Sequence, residues 1–307
     1  MSEHHSHSGH DHGHSHAPAS SNAAFAIGVA LNISFVLVEF GYGLLANSLA
    51  LLSDAAHNLG DVFGLLIAWG AIHLGKSLPT KRRTYGLRRS SILAALTNAL
   101  VLLIIVGGIV WEAVGRILRP EAVSSSTVIW VATAGVVINL ISALLFMAGR
   151  KRDININAAF LHMAGDAAVS VGVVLVGVGI YFTGWLWLDP AISILIGIAI
   201  VWGTWGLLRE SLNLAMDAVP SGIDPHAVES YLAGLPGVRA VHDLHIWAMS
   251  TTEVALTAHL VMPEPPMDGK FLHAICGQLQ GRFEIGHVTI QIEHGDSACH
   301  QAPADVV

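Results

Sequence analysis

The composition of the chain points to a membrane protein. It has 307 residues, of which 53% are hydrophobic and only 12% are charged, and its mean hydropathy is +0.60. The charged share is about half of that in soluble globular domains, which excludes a purely cytosolic enzyme. The two cysteines, Cys276 and Cys299, are too few for a disulfide framework and form no Cys-x-x-Cys pair. Metal ligands must therefore be histidine and carboxylate side chains.

Charge is distributed unevenly and divides the chain into two parts. Residues 1–208 carry 11 basic and 10 acidic residues, whereas residues 209–307 carry 4 basic and 12 acidic residues. The acidic C-terminal part attracts cations and repels nucleic acid, so nucleic acid is excluded as a partner. Histidine is also unusually frequent, with 18 residues in the chain.

Residues 1–22 form a tail rich in histidine, serine and glycine. The tail lacks the basic start of a signal peptide, and we expect it to be disordered. Its imidazoles would collect zinc through loose binding, although a dispensable extension fits the same composition. The histidines concerned are His4, His5, His7, His10, His12, His14 and His16.

Residues 23–208 are predicted to form an all-α transmembrane domain of six helices. Each apolar stretch is long enough to cross a hydrocarbon layer of about 30 Å, for which about 20 residues suffice. The predicted spans are Ala23–Leu45, Leu49–Leu74, Ile92–Val114, Val128–Ala148, Asn155–Phe182 and Pro190–Leu208. Lysine and arginine concentrate in the loops after the second and fourth spans, which predicts that these loops and both termini are cytoplasmic.

Residues 209–296 are predicted to form a small soluble domain, followed by a C-terminal tail at residues 297–307. Asp224 followed by Pro225 indicates the start of a helix that ends near Gly234. The elements after it are predicted at Val238–Ala248, Glu253–Met262, Asp268–Phe283 and His287–His294. Because the third of these is amphipathic and the others alternate, the pattern predicts an αββαβ, metallochaperone-like α+β domain with its helices on one sheet face.

Two predicted spans carry the same His-x-x-x-Asp spacing. The second span contains His57 and Asp61, and the fifth contains His162 and Asp166. Residues four apart lie on one face of a helix, so each helix directs an imidazole and a carboxylate the same way. An ionisable group in a membrane span costs about 2.5–3.5 kcal/mol on insertion scales, and a divalent cation would compensate four of them.

The ligand types in these two pairs favour zinc. Two imidazole nitrogens and two carboxylate oxygens give a neutral tetrahedral shell, whereas magnesium and calcium prefer six or more oxygens. A shared site requires matching depths, which predicts that the fifth helix begins near Asp153, well before His162. Structural hydrogen bonding between helices is the alternative interpretation of the four residues.

Other polar residues lie within or beside the predicted spans. Glu39 and Asp54, together with Asn32 and Asn47, either line a path for cations or protons or make interhelical hydrogen bonds. Carboxylates at the ends of the spans are expected to be solvated. These span-end carboxylates are Glu112, Asp153 and Asp189.

Three separated motifs resemble those of the cation diffusion facilitators, close to bacterial zinc exporters. They are SLALLSDAAHNLGD at Ser48–Asp61, HMAGD at His162–Asp166 and VHDLHIW at Val241–Trp247. They occur in the order that this family shows, in a chain with six predicted spans followed by an αββαβ domain. The resemblance extends from about residue 20 to residue 296.

The resemblance implies a homodimer that exchanges a cytoplasmic divalent cation for protons by alternating access, and we expect a chain this compact to lie in a bacterial cytoplasmic membrane. It implies that His57, Asp61, His162 and Asp166 form the transport site, with Zn²⁺ as the preferred substrate and Cd²⁺ or Co²⁺ as further cargo. Protons compete with metal for imidazole and carboxylate ligands, so at least one proton should replace each departing zinc ion. No resident cofactor is expected.

The resemblance also implies that the C-terminal domain binds further metal at the dimer interface. Residues at matching positions are His242, His259, His294 and Asp296, and His273 lies near another such position. Strand alternation predicts that His242 and His294 point toward an apolar face, where a core histidine bonded to the backbone would fit equally well. His245 and Glu293 are second choices as ligands.

Several other functional classes can be weighed against a transporter. A membrane metalloprotease needs a motif such as His-Glu-x-x-His, and ATP-driven transport needs a Walker-type glycine loop, and the sequence contains neither. A membrane zinc sensor with a static site and no flux is the main alternative. A passive channel, whose flux would ignore a proton gradient, is the other.

Overall fold

The computed structural model describes residues 33–147, 154–264 and 269–294. The first part of the described chain contains six apolar helices, and five of them are long and apolar enough to cross a membrane. The helices are α1 (Ile33–Leu45), α2 (Leu49–Gly75), α3 (Ser90–Leu118), α4 (Ser125–Met147), α5 (Ile154–Thr183) and α6 (Leu188–Ala215). The prediction of a helical transmembrane domain is confirmed, and the part of the first predicted span before Ile33 lies outside the described residues.

Helix α5 settles the question of where the fifth span begins. It starts at Ile154 and runs for 30 residues, so the prediction of a start near Asp153 is confirmed. His162 therefore lies in the third turn of α5, inside the helix instead of at its edge.

Contacts divide the chain into two compact units. The first contains the described residues up to Ala55 together with Pro120–Ile192, and the second contains Ala56–Arg119 together with Ser193–Val307. Within the first unit, α4 and α5 pack closely at Gly177, where an added Cβ would lie 2.9 Å from Ile129 Cγ1. Small residues allow such close approach of helices, which favours association inside a membrane.

The second unit contains two more close contacts between helices at glycine residues. A Cβ added to Gly64 of α2 would lie 2.9 Å from Asn98 Nδ2 on α3, and one added to Gly197 of α6 would lie 2.6 Å from Val110 Cγ2 on α3. The outward faces of these helices carry large apolar side chains, such as Trp111 and Trp202, which are 83% and 86% exposed. An apolar surface of this kind is stable in lipid and not in water.

The C-terminal domain contains α7 (Pro225–Ala233), β1 (Ala240–Ala248), β2 (Val254–Val261), α8 (Lys270–Phe283) and β3 (Ile285–Glu293). The predicted αββαβ order is confirmed. The strand order is β1-β2-β3, with β1 antiparallel and β3 parallel to β2.

The core of this domain lies between the helices and one face of the sheet. Leu232 of α7 and Leu279 of α8 pack with Leu256 and Leu260 of β2, so both helices cover the same face, as predicted. At the start of α7, the Asp224 side chain accepts a hydrogen bond from the backbone N–H of His226 at 3.0 Å, which is the predicted cap.

Candidate metal sites

Each His-x-x-x-Asp pair has the local geometry that its spacing predicts. In α2, Nδ1 of His57 lies 3.9 Å from Oδ2 of Asp61, and in α5, Nε2 of His162 lies 3.6 Å from Oδ2 of Asp166. Asp166 is buried, whereas the other three side chains are partly exposed. Each helix therefore offers one nitrogen and one oxygen ligand from the same face, which is half of a tetrahedral zinc shell.

A buried hydrogen bond joins α2 to α5 next to these pairs. The Ser170 hydroxyl of α5 donates to Oδ2 of Asp54 of α2 at 2.9 Å, and both side chains are fully buried. Asp54 precedes His57 by one helical turn, and Ser170 follows Asp166 by one turn. Of the two interpretations of Asp54 that the sequence left open, the structure contains the interhelical hydrogen bond. Glu39 is also fully buried, and a role for it in a cation or proton path stays a prediction.

Asn47 makes hydrogen bonds between two loops, and a role for it in a cation or proton path stays a prediction. Asn47 lies in the turn between α1 and α2 with a φ of 53°, and its amide donates to Oε2 of Glu121 at 2.9 Å and to the carbonyl of Ala122 at 3.2 Å. Its side chain therefore fastens the turn between α1 and α2, and asparagine tolerates the left-handed backbone found there. Asn32 lies outside the described residues.

The prediction of solvated carboxylates at the span ends holds for Glu112 and is wrong for Asp189. Glu112 is half exposed and pairs with Arg116 one turn later in α3, at 3.1 Å. Asp189 is fully buried and accepts hydrogen bonds from the residues that begin α2. Hydropathy cannot show that the start of one helix meets the start of another. Asp153 lies outside the described residues.

In the C-terminal domain, the structure brings His242, His259 and Glu293 together. Glu293 bonds both histidines, with Oε2 lying 3.0 Å from Nε2 of His242 and Oε1 lying 2.9 Å from Nδ1 of His259. One potential ligand atom from each of the three side chains lies within 4.8 Å of the others, and the two imidazole rings are 5.0 Å apart. All three side chains are largely buried. The cluster supplies two nitrogens and a carboxylate, a ligand set that suits zinc.

A bulge in β1 explains why these residues meet on the face opposite the core. His242 pairs with His259 and His245 pairs with Thr257, so three steps along β1 match two along β2, and Asp243 adopts a φ of 51°. The extra residue reverses the alternation, so Val241 and not His242 packs against the core. The prediction that His242 points toward the apolar face is therefore wrong.

The sequence analysis missed Asp243, which joins the cluster through the bulge. Its carboxylate lies 3.4 Å from Nε2 of His259 and 2.8 Å from Nε2 of His245. The available signal was an aspartate between two histidines in a strand, since aspartate is enriched at left-handed positions. His245, a second choice, thus contacts the cluster through Asp243 and is itself partly exposed.

Two other predicted ligands, His273 and His294, are exposed in the described part of the chain. His273 is exposed on α8, and His294 is exposed just after β3, so the prediction that His294 points toward the apolar face is also wrong. Among the described residues, neither belongs to the three-residue cluster. Asp296 and the N-terminal histidines at positions 4–16 lie outside the described residues.

Comparison with known proteins identifies two family domains in this chain. Residues 25–214 match the cation efflux transmembrane domain, and residues 220–295 match the cytoplasmic domain of cation efflux proteins. Together, the two matches cover most of the chain.

Three relatives cover nearly the same length. The metal cation efflux system protein CzcD of Cupriavidus metallidurans is 40% identical over 91% of this chain and 88% of its own. The zinc transporter ZitB of Escherichia coli is 36% identical over 87% of this chain and 85% of its own. The cadmium, cobalt and zinc/H(+)-K(+) antiporter of Bacillus subtilis is 34% identical over 84% of this chain and 85% of its own. The chain therefore belongs to the cation efflux family, the cation diffusion facilitators, and is a multi-pass membrane transporter of metal cations.

Proposed function

We propose that this chain exports Zn²⁺ from the cytoplasm in exchange for protons, by alternating access through a tetrahedral site of His57, Asp61, His162 and Asp166. The hydrogen bond from Ser170 to Asp54 is the observation that carries this proposal. It fastens α2 to α5 one turn away from each His/Asp pair, which is where two half-sites must meet to share one ion. The early start of α5 adds support, because it brings His162 inside the helix.

The chemistry of the four ligands supports both the substrate and the coupling. An N₂O₂ shell with two carboxylates neutralises a divalent ion and suits zinc, and a relative is named as a zinc transporter. Cadmium and cobalt are further candidate cargo, since another relative is named as an antiporter of all three metals. Zinc binds deprotonated ligands, so protons arriving from the other side displace it.

The setting of the transporter follows from charge and family. The loop between α2 and α3 is basic, which supports a cytoplasmic location for this loop and for both termini, with the helices in the bacterial inner membrane. Its cations are Lys76, Lys81, Arg82, Arg83, Arg88 and Arg89. The cytoplasmic domain, at residues 220–295 in the family match, supports a homodimer.

Zinc flux in proteoliposomes tests the transport proposal. We expect an acidic interior to drive zinc accumulation by the reconstituted chain, because protons leaving the vesicle exchange for entering zinc. A protonophore should abolish this accumulation. Zinc binding without flux would support the static sensor instead, and flux that ignores the pH gradient would support a passive channel.

We further propose that His242, His259 and Glu293 hold a second zinc ion, with Asp243 placed to orient or join the shell. Nδ1 of His242 is buried and has no hydrogen-bond partner in the part of the chain that the structure describes. A metal ion would replace the present contacts between imidazoles and carboxylates with direct ligation. His294 and Asp296 follow directly after β3 and are candidates to complete the shell.

Replacing both histidines of this cluster should remove one zinc-binding event. We expect the full chain with His242→Ala and His259→Ala to bind about one zinc ion fewer per chain than the native protein in a calorimetric titration. Zinc held by the N-terminal histidines is present in both proteins and cancels in the difference. His226→Ala is the matched control, because His226 is exposed on α7 of the same domain. Equal zinc binding by the double variant and the control would refute the second site.

A further inference from the structure

A carboxylate from α6 holds the start of α2. Asp189 is the second residue of α6 and is fully buried. Its Oδ1 accepts a hydrogen bond from the Ser48 hydroxyl and one from the backbone N–H of Ala50 at 3.4 Å, while its Oδ2 accepts one from the N–H of Leu49 at 2.7 Å. The Asp189 side chain thus accepts hydrogen bonds from the residue that precedes α2 and from the first two residues of α2.

Ser48 completes this cap. Its hydroxyl accepts from the N–H of Leu51 at 3.3 Å while donating to Asp189, and its carbonyl accepts from the N–H of Leu52 at 3.2 Å. The N–H groups that begin a helix have no partner within it, and they must be satisfied by other groups when they are buried. Asp189 and Ser48 together satisfy those of the first three residues of α2.

The charge of Asp189 matters as well as its geometry. The first turn of α2 contains no acidic residue of its own. The positive end of the α2 dipole therefore faces a buried carboxylate supplied by α6, which is a favourable interaction in a partly or fully buried setting. Removing that carboxylate leaves buried N–H groups unpaired, and such groups cost more free energy than an average hydrogen bond gains.

The capped helix is the one that carries half of the proposed transport site. His57 lies in the third turn of α2 and Asp61 one turn later. A metal site tolerates displacements of only about 0.5 Å in its ligands. We propose that Asp189 is a positioning residue for transport, which fixes the axial position and rotation of α2 by capping it and so holds His57 and Asp61 in binding geometry. This inference rests on the proposed function of the His/Asp pairs.

The test moves the carboxylate from α6 to the cap residue itself. Asp189→Ala removes the cap, and Ser48→Asp in the Asp189→Ala background places a carboxylate where aspartate is among the preferred capping residues. Asp189→Asn keeps the shape of the side chain and one acceptor oxygen but removes the charge. Glu112→Gln is the control, because the Glu112 carboxylate near the end of α3 pairs with Arg116 of its own helix and, among the described residues, caps no other helix.

Zinc uptake against zinc concentration is measured in proteoliposomes under a fixed pH gradient. We expect Asp189→Ala to raise the zinc KM or lower the maximal rate by about tenfold. The double variant, Ser48→Asp with Asp189→Ala, should transport zinc within about threefold of the native chain. Transport by Asp189→Asn should lie between that of Asp189→Ala and that of the native chain, and transport by Glu112→Gln should match the native chain. If Asp189→Ala fails to assemble, the double variant carries the test, since its folding and transport both require a restored cap.

Two results would overturn the proposal. The first is native transport by Asp189→Ala, which would mean that the cap does not position the site. The second is a double variant that assembles but stays as inactive as Asp189→Ala, which would mean that Asp189 acts on zinc or protons directly. Failure of the transport proposal itself is recognised separately, because the native chain would then bind zinc without flux. In that case, zinc binding is measured instead of uptake. The binding event of interest is the one that the native chain shows and His57→Ala lacks. Asp189→Ala should weaken this binding, and Ser48→Asp in the Asp189→Ala background should restore it.

Discussion

Replacing Asp166 or His57 by alanine is expected to abolish proton-driven zinc uptake, with a loss of about 100-fold or more in initial rate. Changes to groups that merely orient metal ligands cost about 10- to 100-fold in affinity or activity, and loss of a ligand should cost at least as much. Either variant leaves only three ligands, and Asp166→Ala also removes one of the two carboxylates that neutralise a divalent ion. The measurement is zinc uptake into vesicles with an acidic interior, normalised to reconstituted protein.

The matched control for these variants is His73→Ala. His73 lies on the same helix as His57, near its C-terminal end, where it is exposed and packs its ring on Trp69 at a centroid distance of 5.1 Å. Removing it takes an imidazole from α2 without touching either His/Asp pair, so transport should stay within about twofold of native. Transport by Asp166→Ala at the level of this control would exclude the four residues as the transport site.

Exchanging an imidazole for a carboxylate should change which metal is carried. We expect His57→Asp to lower zinc uptake by about tenfold and to give measurable uptake of Mn²⁺, because imidazole suits zinc whereas carboxylate oxygens suit manganese. His162→Asp removes the corresponding nitrogen from the other helix and should shift the preference in the same direction. The measurement is uptake of each metal alone and in competition, under the same pH gradient.

Combining the two exchanges tests whether the imidazoles of both pairs set the metal preference. If both pairs bind the same ion, the double variant His57→Asp, His162→Asp should favour Mn²⁺ over Zn²⁺ more strongly than either single variant, because its shell contains only oxygen. A double variant that retains the native zinc preference would mean that the imidazoles do not set selectivity.

The sequence alone was enough to predict the helices, the domain order and the two His/Asp pairs. The predicted second span at Leu49–Leu74 differs from α2 by one residue at its end, because a long apolar run has one stable form in a membrane. The spacing of four residues determined the geometry within each pair in the same way, since the period of a helix allows nothing else. Asp224 and Pro225 likewise determined the start of α7 through purely local bonds.

Only the tertiary structure decided the hydrogen-bond partners of Asp189 and the composition of the histidine and carboxylate cluster in the C-terminal domain. Asp189 is 140 residues from Leu49, whose N–H it accepts, and no local pattern encodes a cap supplied by a distant helix. In β1, a single extra residue at Asp243 turns His242 from the core to the opposite face, where it meets His259 and Glu293. Sequence periodicity carries information about one element at a time, whereas these contacts depend on where two elements meet, which only the packing of the folded chain determines.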